Sequence, residues 1–130
     1  MLLFLFAGMT SVAWSFFGGS ARNVTLPALK IEILNGCGEP GIAQGAAERL
    51  QGLGHDVILV GDAPAQGFSR TVILDRRGRD RLSRELARRI GPCPVVLERV
   101  ASAEVDLTLI LGADWRQLLL FSSGRAFSEL

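Results

Sequence analysis

Apolar and polar residues alternate from Leu29 to Ile33, with Leu29, Ile31 and Ile33 on one side and Lys30 and Glu32 on the other. This is the period of two expected of a strand. The alternation ends at Asn35, and Gly36, Gly38, Pro40 and Gly41 follow. Asparagine and glycine tolerate positive φ, and proline pre-sets a first helical turn. A strand over about 29–34 is therefore predicted to bend through 35–41 into a helix N-terminus, with backbone N–H groups facing outward. Ile42, Ala43, Ala46, Ala47, Leu50 and Leu53 recur at helical spacing, and Gly54 stands where a left-handed C-terminal residue belongs. This predicts a helix over about 41–53. Its inner face is mostly alanine, which permits close approach to a sheet.

Val57 to Val60 is a continuous apolar run, predicted as a second strand with both faces covered. Residues 61–70 are a loop rich in glycine and proline, Thr71 to Leu74 is a third strand, and residues 75–78 make a turn. A second helix over about 78–90 turns Leu82, Leu86, Ala87 and Ile90 inward and stops at Gly91-Pro92. Val95 to Leu97 and the apolar run Leu107 to Leu111 complete the order β-α-β-β-α-β-β. Two strand-helix-strand units predict a small α/β (α+β) domain with both helices on one face of a four- or five-stranded sheet. Residues 115–130 begin with one helical turn and continue as a tail.

Residues 1–21 contain no charged side chain. As a helix, residues 1–17 would span roughly 25 Å, near the lower limit for crossing a bilayer. A retained anchor is expected. The alternatives are a secretory signal cleaved near Gly19-Ser20-Ala21 and a buried helix of the fold. A positively charged n-region is missing. Residues 22–28 form a linker, residues 29–114 the domain and residues 115–130 the tail. With an anchor or a signal, the domain lies outside the cytoplasm, at the cell membrane or as a secreted or periplasmic product.

The formal net charge is +1, so its distribution matters more than its sum. Residues 76–89 hold seven arginines against Asp80 and Glu85, a local +5, and the rest of the chain carries −4. Arg76, Arg77, Arg79, Arg81, Arg84 and Arg88 form a candidate basic surface. Arg81/Glu85 and Asp80/Arg84 stand at pairing distance on a helix. Anionic envelope polymer or lipid headgroups would be attracted. Nucleic acid is not expected, because no aromatic residues interleave with the arginines. Cys37 and Cys93 make no disulfide framework, although a bridge between them is open in an oxidising space. No Cys/His cluster exists and His55 is the only histidine, so no metal is expected.

Gly36-x-Gly38-x-x-Gly41 matches the spacing of a dinucleotide fingerprint, and Asp62 lies just past the next strand. The match is weak, because a ten-residue loop follows where a dinucleotide fold has another crossover helix. A phosphate or nucleotide at the bend is the alternative function. Cys37 sits before a helix N-terminus, which lowers a thiol pKa, but no base stands near it. Asn35 and Asp114 each follow a strand and are candidates, with Gly36, Cys37, Gly38 and Gly41, to line one edge of the sheet. Asp75, Asp80, Asp106 and Asp114 have no paired-carboxylate spacing and read as turn and cap residues.

An ordered set of short motifs spans the domain: Asn35-Gly36-Cys37-Gly38 with Pro40-Gly41-Ile42-Ala43, Leu53-Gly54-His55-Asp56-Val57, Thr71-Val-Ile-Leu, Leu86-Ala87, and Leu109-Ile-Leu-Gly-Ala-Asp114. Together they resemble the C-terminal domain of LytR/CpsA/Psr proteins over about residues 29–114. The resemblance implies a small α/β domain of the bacterial cell envelope, often attached to a catalytic domain that transfers glycopolymers to peptidoglycan. That catalytic domain has no space in this chain, so transferase activity does not carry over, and no settled catalytic residues come with the accessory domain. The expectation is a non-enzymatic, membrane-tethered module without cofactor, binding an envelope polymer or an envelope protein.

Overall fold

The alternation in the first strand becomes one buried face and one half-open face. In the computed structural model, which describes residues 26–122, Ile31 and Ile33 are fully buried while Lys30 is exposed. The elements are β1 (Lys30–Asn35), α1 (Ile42–Gly52), β2 (Asp56–Asp62), β3 (Val72–Asp75), α2 (Asp80–Ile90), β4 (Val95–Leu97) and β5 (Leu107–Leu111). Two short 3-10 turns follow, Trp115–Gln117 and Leu119–Phe121. The predicted hydrophobic helix within residues 1–21 and the second half of the predicted tail, residues 123–130, lie outside the described residues.

The five strands form one sheet in the order β2-β1-β5-β3-β4. β1 is parallel to both β2 and β5, β3 is parallel to β4, and β3 runs antiparallel to β5. Two β-α-β units thus lie side by side in opposite directions with β5 between them. The right-handed crossover rule then puts both helices on one face. The packing agrees: Ile42, Ala46 and Leu50 of α1 share one core with Leu86, Ala87 and Ile90 of α2, over Ile31, Ile33, Ile73, Leu107, Leu109 and Leu111 of the sheet. The α/β expectation with two helices on one face holds, and the sheet has five strands.

The limits of α1 follow from its glycines. Gly41, at φ +80°, precedes it, and Gly54, at φ +93°, ends it. At that end Gly54 N–H donates to the Gln51 carbonyl and His55 N–H to the Leu50 carbonyl, the paired bonds of a Schellman stop. Helix α2 begins at Asp80, two residues later than predicted, because Asp75 binds the preceding turn.

Two expectations are corrected. The run Val57 to Val60 is not covered on both faces: β2 is an edge strand, and Ile58, Leu59 and Val60 are 43%, 47% and 40% exposed. A continuous apolar run reads alike whether a strand is central or lies at an edge beneath one helix. The segment after β5 is not a single helical turn. Its two 3-10 turns drive Leu118 and Leu120 into the core, and Leu119–Phe121 packs against both helices. Burying a leucine in this way is worth about 1.5–3 kcal/mol. Trp115 and Phe121 meet edge to face with ring centroids 5.2 Å apart, and the Arg49 guanidinium lies 5.1 Å from the Phe121 centroid.

Candidate functional site

The site begins with Asp75, the last residue of β3. Its buried carboxylate Oδ1 accepts the N–H groups of Arg77, Gly78 and Arg79 at 3.1, 2.9 and 3.1 Å. That binds the β3–α2 turn into a tight loop and fixes where three arginines leave the backbone. Arg76 goes to the helix-free side of the sheet, where Nε donates to Thr108 Oγ1 at 3.0 Å and the guanidinium lies 3.2 Å from Glu98. Thr108 in turn donates to Glu32 at 2.8 Å. Arg77 and Arg79 lie 3.5 and 3.6 Å from one oxygen of the buried Asp106.

Arg99 arrives from the other side, on the β4–β5 connection. Its guanidinium lies against Gly78, which has φ +71° and where a side chain would collide with it. Arg76, Arg77, Arg79 and Arg99, with Val100, Ala101 and Ala103, line an open cleft of about 640 Å³. Three of these four guanidiniums meet two carboxylates: Arg76 meets Glu98, and Arg77 and Arg79 meet Asp106. Such forked, permanently charged donors suit phosphate or carboxylate oxygens.

The candidate basic surface is therefore two surfaces. Arg84 and Arg88 line a separate hollow of about 300 Å³ with Ala87, Pro92, Cys93 and Val95, and Arg81 is exposed on α2. Arg84 pairs with Asp80 at 2.8 Å, as expected. Glu85 turns to Arg88 and Arg89, at 2.6 and 3.2 Å, and not to Arg81. Hydrogen bonding from Arg88, with a smaller share from Arg89, holds the Glu85 carboxyl below the usual carboxylate range. Sequence reasoning left out Arg99 and the anchoring role of Asp106. Arg99 is separated from Arg79 by a whole helix and strand, and no local pattern joins them.

The glycine bend lies at the opposite end of β1. Asn35 Oδ1 accepts Cys37 N–H and Gly38 N–H, each at 3.1 Å, and Asn35 Nδ2 donates to the Glu39 carbonyl at 2.7 Å. Gly36 N–H donates to the Leu111 carbonyl at 2.9 Å. Three amides at the head of the bend are thus used inside the fold, contrary to the expectation that they face outward, because the Asn35 side chain folds back over two of them and the Leu111 carbonyl takes the third. A Cβ on Gly36 would lie 2.8 Å from Ile110 and Phe68, so that glycine serves packing. Gly41, at the start of α1, has open space around it. Asp114 Oδ1 accepts both the N–H and the hydroxyl of Thr71 at 2.8 Å, which fastens the segment after β5 to the start of β3.

Cys37 Sγ lies 3.6 Å from Asn35 Oδ1. His55 is buried at the other end of the sheet, where its Nδ1 accepts Leu29 N–H at 3.2 Å, and it cannot serve Cys37 as a base. Burial, and secondarily Arg89, lowers its pKa. Burial also pushes the Cys93 thiol up to about 12, with Asp114 adding to the rise and Arg70 opposing it. Both cysteines are free thiols. Among the described residues no three His, Cys, Asp or Glu side chains gather as a metal site.

Residues 28–115 match the family described as LytR cell envelope-related transcriptional attenuator. No curated protein matches. Among solved structures, the soluble domain of a conserved hypothetical secreted protein from Mycobacterium marinum is similar at a TM-score of 0.58 and 20% identity, over 76% of this chain and 68% of that one. At that identity the likeness concerns the fold. With the family match covering well over half of the 130 residues, the chain belongs to the LytR C-terminal domain family of cell-envelope-related accessory domains.

Proposed function

We propose that the protein is a non-catalytic module on the outer side of the cytoplasmic membrane, held there by residues 1–21, which binds an anionic component of the envelope through the arginine cleft. The observation that carries this reading is the convergence of Arg76, Arg77, Arg79 and Arg99 on one open cleft, where Glu98 and Asp106 pair with three of the four. The family supports an envelope setting, and the secreted origin of the similar structure agrees with an extracytoplasmic one. Nothing in the glycine bend favours the phosphate or nucleotide alternative, since its first amides are bonded internally.

The test uses the full chain in a non-ionic detergent. Soluble poly(glycerol phosphate) is expected to bind and uncharged dextran is not. Arg77→Gln with Arg99→Gln should weaken binding about tenfold or more, at roughly 1 kcal/mol per basic residue. Unchanged binding by the double variant, or equal binding of dextran, overturns the cleft as the site. A reporter fused after Leu130 that fractionates with the cytoplasm overturns the location.

A further inference from the structure

The cleft lies at the end of the sheet where the chain enters β1. Lys30, the first residue of β1, donates its N–H to Asp106 Oδ2 at 2.8 Å, and Asp106 N–H donates to the Lys30 carbonyl at 2.8 Å. The other oxygen of Asp106 faces Arg77 and Arg79. One carboxylate thus joins the point where the chain enters the domain to the floor of the cleft. The glycine bend, at the far end of β1, is about 20 Å away along a six-residue strand. Residues 22–28 separate the uncharged segment 1–21 from Leu29, and seven residues reach at most about 25 Å.

We infer that the arginine cleft faces the membrane and takes the phosphate headgroups of an anionic bilayer, with Arg77, Arg79 and Arg99 as the contacting cations. This rests on the tethered reading above and deepens it by naming the ligand and the orientation. Three observations converge on it. The linker is too short to carry the cleft far from a bilayer that holds residues 1–21. The arginines gather at the near end, where exposed Lys30 adds to the same sign against Glu98, Glu104, Asp106 and Asp56. Beside the arginines, Val96 and Val100 are 47% and 42% exposed, and Val100 lines the cleft. Exposed aliphatic side chains next to basic ones suit the boundary between headgroups and acyl chains.

The experiment places the full chain in nanodiscs of phosphatidylcholine alone or with phosphatidylglycerol, and follows amide exchange with and without soluble poly(glycerol phosphate). In the phosphatidylglycerol discs, amides of residues 76–79 and 99–103 should exchange at least about fivefold more slowly than in phosphatidylcholine discs. Arg77→Glu with Arg99→Glu should abolish the difference, while residues 36–41 stay alike in both discs. Equal exchange at the cleft in both discs overturns the inference. So does protection that appears only when the polymer is added, which would assign the cleft to a polymer and leave the proposed function standing. A chain that fails to enter the discs overturns the tether on which both rest.

Discussion

Lys30 and Asp106 exchange two hydrogen bonds, each 2.8 Å long, between the first residue of β1 and the residue before β5. The pair closes the sheet at one end and holds a carboxylate beneath Arg77 and Arg79. Structure and charge therefore depend on one side chain. Asp106→Ala leaves the Lys30 N–H without its acceptor and is expected to cost about 2–3 kcal/mol in urea unfolding. Asp106→Asn keeps an acceptor and should cost less. By removing a negative charge from the cleft it should also tighten the binding of poly(glycerol phosphate).

Acid should weaken the fold through His55. Its folded pKa lies below the ordinary 6.5, chiefly through burial, so the unfolded chain binds the proton more readily. Stability is full above about pH 6.5 and falls as the pH drops from there towards the folded pKa, below which the loss levels off. Protonation would also remove the Nδ1 acceptor for Leu29 N–H. The loss in melting temperature between about pH 7.5 and 5.5 should shrink in His55→Gln, and an unchanged loss would assign it to other groups. As the only histidine, His55 isolates the effect.

The Cys93 thiol, pushed up to about 12, holds only about one part in ten thousand of thiolate at pH 8. Iodoacetamide at that pH should leave Cys93 unmodified in the folded protein and alkylate it in urea, as read by peptide mass spectrometry. Rapid labelling of the folded form would mean that its environment is wetter than the geometry indicates.

Two glycines at the crowded end of the sheet should differ in cost. A Cβ on Gly112 would meet the Arg70 backbone, 2.6 Å from its oxygen and 2.8 Å from its nitrogen, and a backbone cannot swing aside. A Cβ on Gly36 would meet two side-chain atoms at 2.8 Å and the Leu111 oxygen at 2.9 Å. Gly112→Ala should therefore cost the more of the two, with both at about 2 kcal/mol or above in denaturant unfolding.

Much of the fold was legible because its signals are local. Leu29, Ile31 and Ile33 share a face in any strand, and a left-handed residue at Gly54 is needed wherever the chain leaves α1, so these elements follow from periodicity and backbone sterics. Asp75, Asp106 and Asp114, read as turn and cap residues, all accept backbone N–H groups. The errors concern what covers what. Val57 to Val60 looked like an interior strand, yet position in the sheet depends on pairing with distant segments, and β2 lies at an edge. Leu118 and Leu120 looked like a tail until both helices were in place to receive them.

The candidate site divides in the same way. That arginines crowd residues 76–89 is a property of the chain, and it already implied a preference for anions. That Arg76, Arg77 and Arg79 separate from Arg84 and Arg88 follows from Asp75 folding the turn before α2. That Arg99 joins the first group, with Asp106 beneath it and the start of β1 beside it, depends on β5 lying between two antiparallel halves. Periodicity and steric limits act over a few residues and can be read along the chain. A cleft is made by segments tens of residues apart, and their meeting is set by the strand order of the whole sheet.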